Sequence, residues 1–169
     1  ICSNASATNN SIPLAPAAMP ANPLTRLSLI AAGASGMLLL VALAFEHIGG
    51  YRPCELCHWQ RYAHVVVVVL GLAAALAGTR PTMQPAMLGL LAAALVGAAG
   101  VALYHVGVEW KWWDGPAACS GAMPAGLSIE ELRKRLLGTP VVRCDEIAWS
   151  FLGLSMAGWN FLLSAGLAV

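Results

Sequence analysis

Charge is scarce in this chain. Charged residues make up 10% of its 169 positions while 59% are hydrophobic, against roughly 25% charged in ordinary soluble domains. So few charges cannot cover the surface of a soluble domain of this length. Their spacing excludes it further. No charged side chain lies between Arg26 and Glu46, between Arg61 and Arg80, between Arg80 and Glu109, or after Glu146. Each gap can hold the roughly 20 apolar residues of a membrane-spanning helix. The pattern predicts an all-α, polytopic membrane protein: a four-helix transmembrane bundle with spans at about 24–45, 58–78, 85–106 and 147–169.

A second absence lies at the start. Residues 1–23 carry no charge and are rich in Ala, Asn, Ser and Pro. They lack the basic start and apolar core of a secretory signal and are expected to form a disordered tail.

The spans are not uniformly apolar. Ser150, Ser155, Asn160 and Ser164 interrupt the last one, where small polar side chains can hydrogen-bond to neighbouring helices. Gly89, Ala93 and Gly97 offer the third span a small-residue face for close packing. Residues 46–57 form a short loop that Gly49, Gly50 and Pro53 turn into a helix start. Residues 107–146 form the long loop. Trp110, Trp112 and Trp113 crowd its beginning, where indoles favour the headgroup layer. Gly115, Pro116, Gly121, Pro124 and Gly126 make the surroundings of Cys119 irregular and flexible. Within 127–138, Ser128 and Glu131 have capping-box spacing, and Ile129, Leu132 and Leu136 make one apolar stripe. A short helix lying on the membrane surface fits that pattern.

Cysteine placement carries the chemistry. Cys54 and Cys57 form a CxxC at the edge of the second span, and Cys119 and Cys144 lie in the long loop. Two spans separate these pairs, so all four thiols can meet on one face of a membrane. Cys57 falls in the first turn of a helix, where the positive end of the dipole favours a thiolate. Arg61, four residues on, shares its helix face and can stabilise that thiolate or hydrogen-bond a carbonyl oxygen. Counted literally, basic residues favour the opposite orientation: Arg26 and Arg80 on one side, Arg52, Arg61, Lys111, Arg133, Lys134, Arg135 and Arg143 on the other. Durable disulfide chemistry needs an oxidising compartment, so the cysteine loops are placed outside the cytoplasm and both termini inside. Cys2 then lies across the membrane from the other four.

Three other readings of the cysteines remain open. Residues 54–58 satisfy the CxxCH pattern of c-type haem attachment, with His58 as axial ligand. Against it, the motif runs directly into a span and leaves Cys119 and Cys144 unexplained. Four thiolates can also hold zinc, although such ligands usually come as two closely spaced pairs. Outside redox chemistry, the cysteines could form static bridges in a membrane scaffold.

From about residue 24 to its end the chain resembles DsbB, a family of bacterial inner-membrane, quinone-dependent protein thiol oxidases. The resemblance rests on four spans, the CxxC before the second, Arg61 in Cys57-His-Trp-Gln-Arg61, the loop pair Cys119 and Cys144, and the stretch from Cys144 through Trp149 and Phe-Leu-Gly-Leu to Trp159. It implies a periplasmic, DsbA-like thiol–disulfide oxidoreductase as partner, attacking Cys119, with Cys144 as resolving cysteine. It implies disulfides Cys119–Cys144 and Cys54–Cys57, with electrons passing from the first pair to the second. A membrane quinone, ubiquinone or menaquinone, would face Cys57, with Arg61 polarising it and His105 nearby. His58 departs from the bulky apolar residue expected after the CxxC, and the Ala/Pro-rich start has no counterpart in the family.

Overall fold

The computed structural model describes residues 22–78, 80, 82–120, 128–131, 133 and 142–169. Cys2, nearly all of the expected tail and most of the expected surface helix lie outside the described residues. The start of that helix is described: Ser128 Oγ accepts the Glu131 N–H at 3.3 Å and donates to Glu131 Oε2 at 3.3 Å, so the serine caps the helix start.

Three long helices come first: α1 Pro23–His47, α2 Glu55–Ala77 and α3 Gln84–Glu109. All three are long and apolar enough to cross a bilayer. Each begins for a local reason. The Asn22 side chain accepts the Leu24 N–H at 3.1 Å, and Pro23 occupies the first helical position, which needs no N–H. In α2 a sulfur does the capping: Cys54 Sγ accepts the Cys57 N–H at 3.3 Å. The second helix therefore begins at Glu55, ahead of the expected 58, and Cys57 lies inside its first turn. α3 has Pro85 in its first turn and runs on to Glu109, beyond the expected 106.

The last expected span differs most. Residues 147–155 are not helical. A two-strand hairpin, β1 Ser150–Phe151 and β2 Leu154–Ser155, pairs Phe151 with Leu154. The intervening Leu152 and Gly153 have φ of 52° and 80°, and a two-residue turn with both φ positive is the hairpin geometry that matches strand twist. Ser155 then starts a helix by accepting the Gly158 N–H at 3.1 Å. That helix, α5, covers Met156–Ala168; a short α4, Ala117–Ser120, precedes the hairpin in the chain.

Packing runs α1 on α2, α2 on α3 and α3 on α5. At one end Ala31, Val67, Leu91 and Leu95 form a buried cluster, against which Leu167 and Ala168 pack. At the other end a cavity of about 460 Å³ opens between α1 and α5. The α1–α2 seam is built from small groups. Ser28, Ala31, Ala32 and Ser35 are buried, and a Cβ at Gly71 would stand only 2.9 Å from Ala32 Cβ. The small-residue face expected on α3 is not used this way: Gly89, Ala93 and Gly97 are exposed, and a Cβ at either glycine meets nothing within 4 Å. Leu91, Leu95, Ala98 and Ala102 make the buried face of α3. Outward-facing Leu40, Val69, Leu76 and Val96 give the helices an apolar exterior suited to lipid.

Candidate functional site

The helix starts and the long loop bring all four described cysteines together. Cys54, Cys119 and Cys144 are buried in one cluster with Leu56 and Val108, and Cys57 packs against it. Cys119 and Cys144 are joined in a disulfide. Cys54 and Cys57 are thiols, with their sulfurs 2.9 Å apart. The reactive atoms of Cys54, His105 and Cys144 all lie within 4.8 Å of one another. The side-chain hydrogen bond shared with the Cys57 sulfur, and then burial, push the Cys54 thiol above the usual cysteine range. A four-thiolate zinc site would need Cys119 and Cys144 as thiolates, and here both sulfurs are spent in the disulfide.

The loop pair is docked rather than loose. Cys119 is 1% exposed and Cys144 fully buried. α4 carries Cys119, whose N–H goes to the Pro116 carbonyl at 2.7 Å. The Cys144 N–H reaches the Cys119 carbonyl at 3.3 Å. Next to Cys144, Asp145 is gripped by Arg143 at 2.7 Å and by Lys111 of the α3 end at 2.6 Å. The Arg143 guanidinium first, and the Lys111 ammonium second, hold the Asp145 carboxyl well below the usual range. The expected mobility of this loop thus gives way, at its cysteine end, to a latch made by charges that no spacing rule had singled out. The tryptophans stack where the loop leaves α3. Trp113 lies parallel to Tyr104 at 5.8 Å and donates to the Tyr104 carbonyl at 3.0 Å.

Cys54, Cys57, Arg61 and His105 all line the cavity between α1 and α5. Leu38, Val41 and Phe45 of α1 and Leu163 of α5 supply apolar walls. Arg61 does not rest on the cysteines. Its guanidinium pairs with Glu46 and donates to the Ala42 carbonyl at 3.2 Å. His105 approaches Cys54 Sγ at 3.7 Å and Gln60 at 2.7 Å. Behind it lie Asn160 and His64, 2.7 Å apart. His58 lies on another side, 6.4 Å from the Tyr62 ring, and is not among the residues lining the cavity.

Sequence reading missed Glu46, Gln60, His64 and Glu109 as members of this site. A signal was available for two of them. Gln60 and His64 are polar residues four apart inside a span, on one helix face, and polar groups there are functional by default. Glu46 and Glu109 stood at span ends, where a charge is unremarkable.

Comparison with known proteins identifies a family. The family described as disulfide bond formation protein DsbB matches residues 25–169. A disulfide bond formation protein B of Marinobacter nauticus is 36% identical over 131 residues, 73% of this chain and 74% of that protein. A protein of the same name from Methylococcus capsulatus is 36% identical over 142 residues, covering 77% of this chain and 80% of its own length. An uncharacterised protein of Rickettsia prowazekii is 28% identical over 145 residues, 85% and 83% of the two chains.

Proposed function

The chain belongs to the DsbB family of disulfide bond formation membrane proteins, and from that premise we propose that it is a thiol oxidase drawing electrons from a soluble DsbA-like partner and delivering them to a membrane quinone. The observation that carries this reading is the contact between two dithiol stations, one of which also lines an apolar-walled cavity.

The exchange runs as follows. A thiolate of the reduced partner attacks Cys119, breaking the Cys119–Cys144 bond and releasing the Cys144 thiolate. The partner's second thiol then displaces Cys119, and the partner leaves oxidised. Cys144 attacks Cys54 of a Cys54–Cys57 disulfide and expels the Cys57 thiolate. Cys119 attacks Cys144, restoring the loop disulfide and leaving Cys54 and Cys57 as a dithiol. Two electrons have moved inward. Cys54 and Cys144 are already within 4.8 Å, so the inner exchange needs little movement. The outer one needs more. Cys119 is buried, and disulfide exchange requires access, so the loop must lift for the partner to reach it.

The cavity fits a quinone ring. About 460 Å³ is within the usual range of small-molecule sites, and the walls are apolar with a few convergent polar groups. Arg61 has five N–H donors, of which the contacts to Glu46 and Ala42 use two, leaving others for a ring carbonyl. A quinone, ubiquinone or menaquinone, supplies the oxidising pull: it takes up two electrons and two protons as Cys54 and Cys57 return to the disulfide. That pull is needed because DsbA is itself strongly oxidising, at about −120 mV. The bacterial inner membrane, with the cysteine loops in the periplasm and the termini in the cytoplasm, is the location this chemistry asks for.

The test is direct. Purified protein is mixed with a reduced thioredoxin-fold partner and a soluble quinone analogue, and quinol formation is followed. Cys57→Ser should abolish it, and Cys119→Ser should block partner oxidation. Normal partner oxidation by Cys119→Ser would overturn the role assignment, and static bridges would give no quinol at all.

A further inference from the structure

Behind the sulfur cluster lies a chain of polar side chains that the electron path does not use. Gln60 touches His105 Nδ1 at 2.7 Å. Asn160 Nδ2 donates to Gln60 Oε1. Asn160 Oδ1 faces His64 Nε2 at 2.7 Å and accepts the Ser164 hydroxyl at 3.1 Å. Gln60, His64, His105 and Ser164 are all at least nine-tenths buried, so water cannot substitute for a misdirected partner.

Each amide has one accepting and one donating end, so the chain has a direction. The Gln60 amide fixes it. Its Nε2, which can only donate, faces His105 Nδ1 at 2.7 Å, and its Oε1 accepts from Asn160 Nδ2. Nδ1 is therefore bare, and the proton of the neutral ring sits on Nε2, which faces Cys54 Sγ at 3.7 Å and the Glu109 carboxylate at 3.9 Å. Asn160 in turn presents its oxygen to His64 Nε2–H and the Ser164 hydroxyl. Every bond in the chain satisfies this one assignment.

We propose that Gln60 and Asn160 are positioning residues that lock His105 as the Nε2–H tautomer, keeping an N–H permanently on the side of Cys54 and Cys144. This deepens the thiol-oxidase reading and rests on it for what the N–H serves: a fixed donor beside the Cys54 sulfur while that sulfur exchanges with Cys144. The tautomer itself does not depend on that reading.

The experiment is nitrogen-15 NMR of the full chain in detergent micelles, with histidine labelled and the His105 resonances assigned by substitution. Long-range proton–nitrogen correlations show which ring nitrogen carries hydrogen. The native protein should show His105 protonated at Nε2 alone. In Gln60→Glu a carboxylate replaces the donor, so the proton signal should move to Nδ1. Asn160→Leu frees the Gln60 amide to turn, and should yield both tautomers even if Gln60→Glu does not fold. Protonation of His105 at Nδ1 in the native protein, or an unchanged Nε2–H form in both variants, would overturn the proposal. Failure of the functional reading looks different: quinol formation would be absent in the native protein while the tautomer pattern stood.

Discussion

Substituting alanine at Gly71 tests whether the α1–α2 seam is as close as its small residues suggest. The added Cβ would stand 2.9 Å from Ala32 Cβ and 2.9 Å from the Ser28 carbonyl oxygen, where ordinary contact begins near 3.4 Å. Neither neighbour is a flexible side chain that can swing away. The helices must part by about 0.5 Å, the difference between those two distances. Overpacking of this kind costs about 1–3 kcal/mol, while alanine returns up to about 1 kcal/mol of helix propensity. A net loss of up to about 2 kcal/mol follows for Gly71→Ala. Gly97→Ala is the control. Its Cβ meets nothing within 4 Å, so it should be neutral or stabilising by up to about 1 kcal/mol. Both variants can be unfolded in micelles by titrating sodium dodecyl sulfate, followed by far-UV circular dichroism. If Gly71→Ala proved as stable as Gly97→Ala, the seam would not be close-packed. The position it gives to Ala42 and Phe45 of the cavity wall would then need another cause.

Four further outcomes follow from the structure. Asp145→Asn should release the loop cysteines, seen as faster reduction of Cys119–Cys144 by a phosphine; an unchanged rate would refute the latch. Because its partners hold the Asp145 carboxyl below the usual range, the latch is fully present above the ordinary carboxylate value of about 3.9 and is lost only as pH falls below it. The phosphine rate in the native protein should therefore be flat between about pH 5 and 8, and a severalfold rise toward pH 5 would count against it. Ser155→Ala removes both the cap on Gly158 and a partner of Glu109, and should cost about 1 kcal/mol or more in the same unfolding assay; no loss would mean that the hairpin alone starts α5. Gly107→Ala places a Cβ 2.1 Å from Trp113 Cζ2, so it should displace the indole from the Tyr104 carbonyl and alter the near-UV dichroism; an unaltered spectrum would refute that contact.

The one-dimensional pattern of charge determined the class of this protein. Gaps without charge are as long as a bilayer is thick, and no packing detail can change that. The placement of cysteines around two spans likewise allowed all four to share a face. Arg61 followed from helical periodicity, one turn after Cys57. What periodicity could not supply were partners brought from other elements. Glu46 reaches Arg61 only because α1 lies against α2, and Gln60, His105 and Asn160 join only because α2, α3 and α5 converge. The hairpin at 150–155 was also out of reach, since Phe-Leu-Gly-Leu reads as apolar helix until Leu152 and Gly153 take positive φ. The close contact at Gly71 rather than Gly89 or Gly97 was decided by which face each helix turned inward. Hydrophobicity in a membrane carries no such information, because lipid and protein interior are equally apolar and only shape and hydrogen bonding tell them apart.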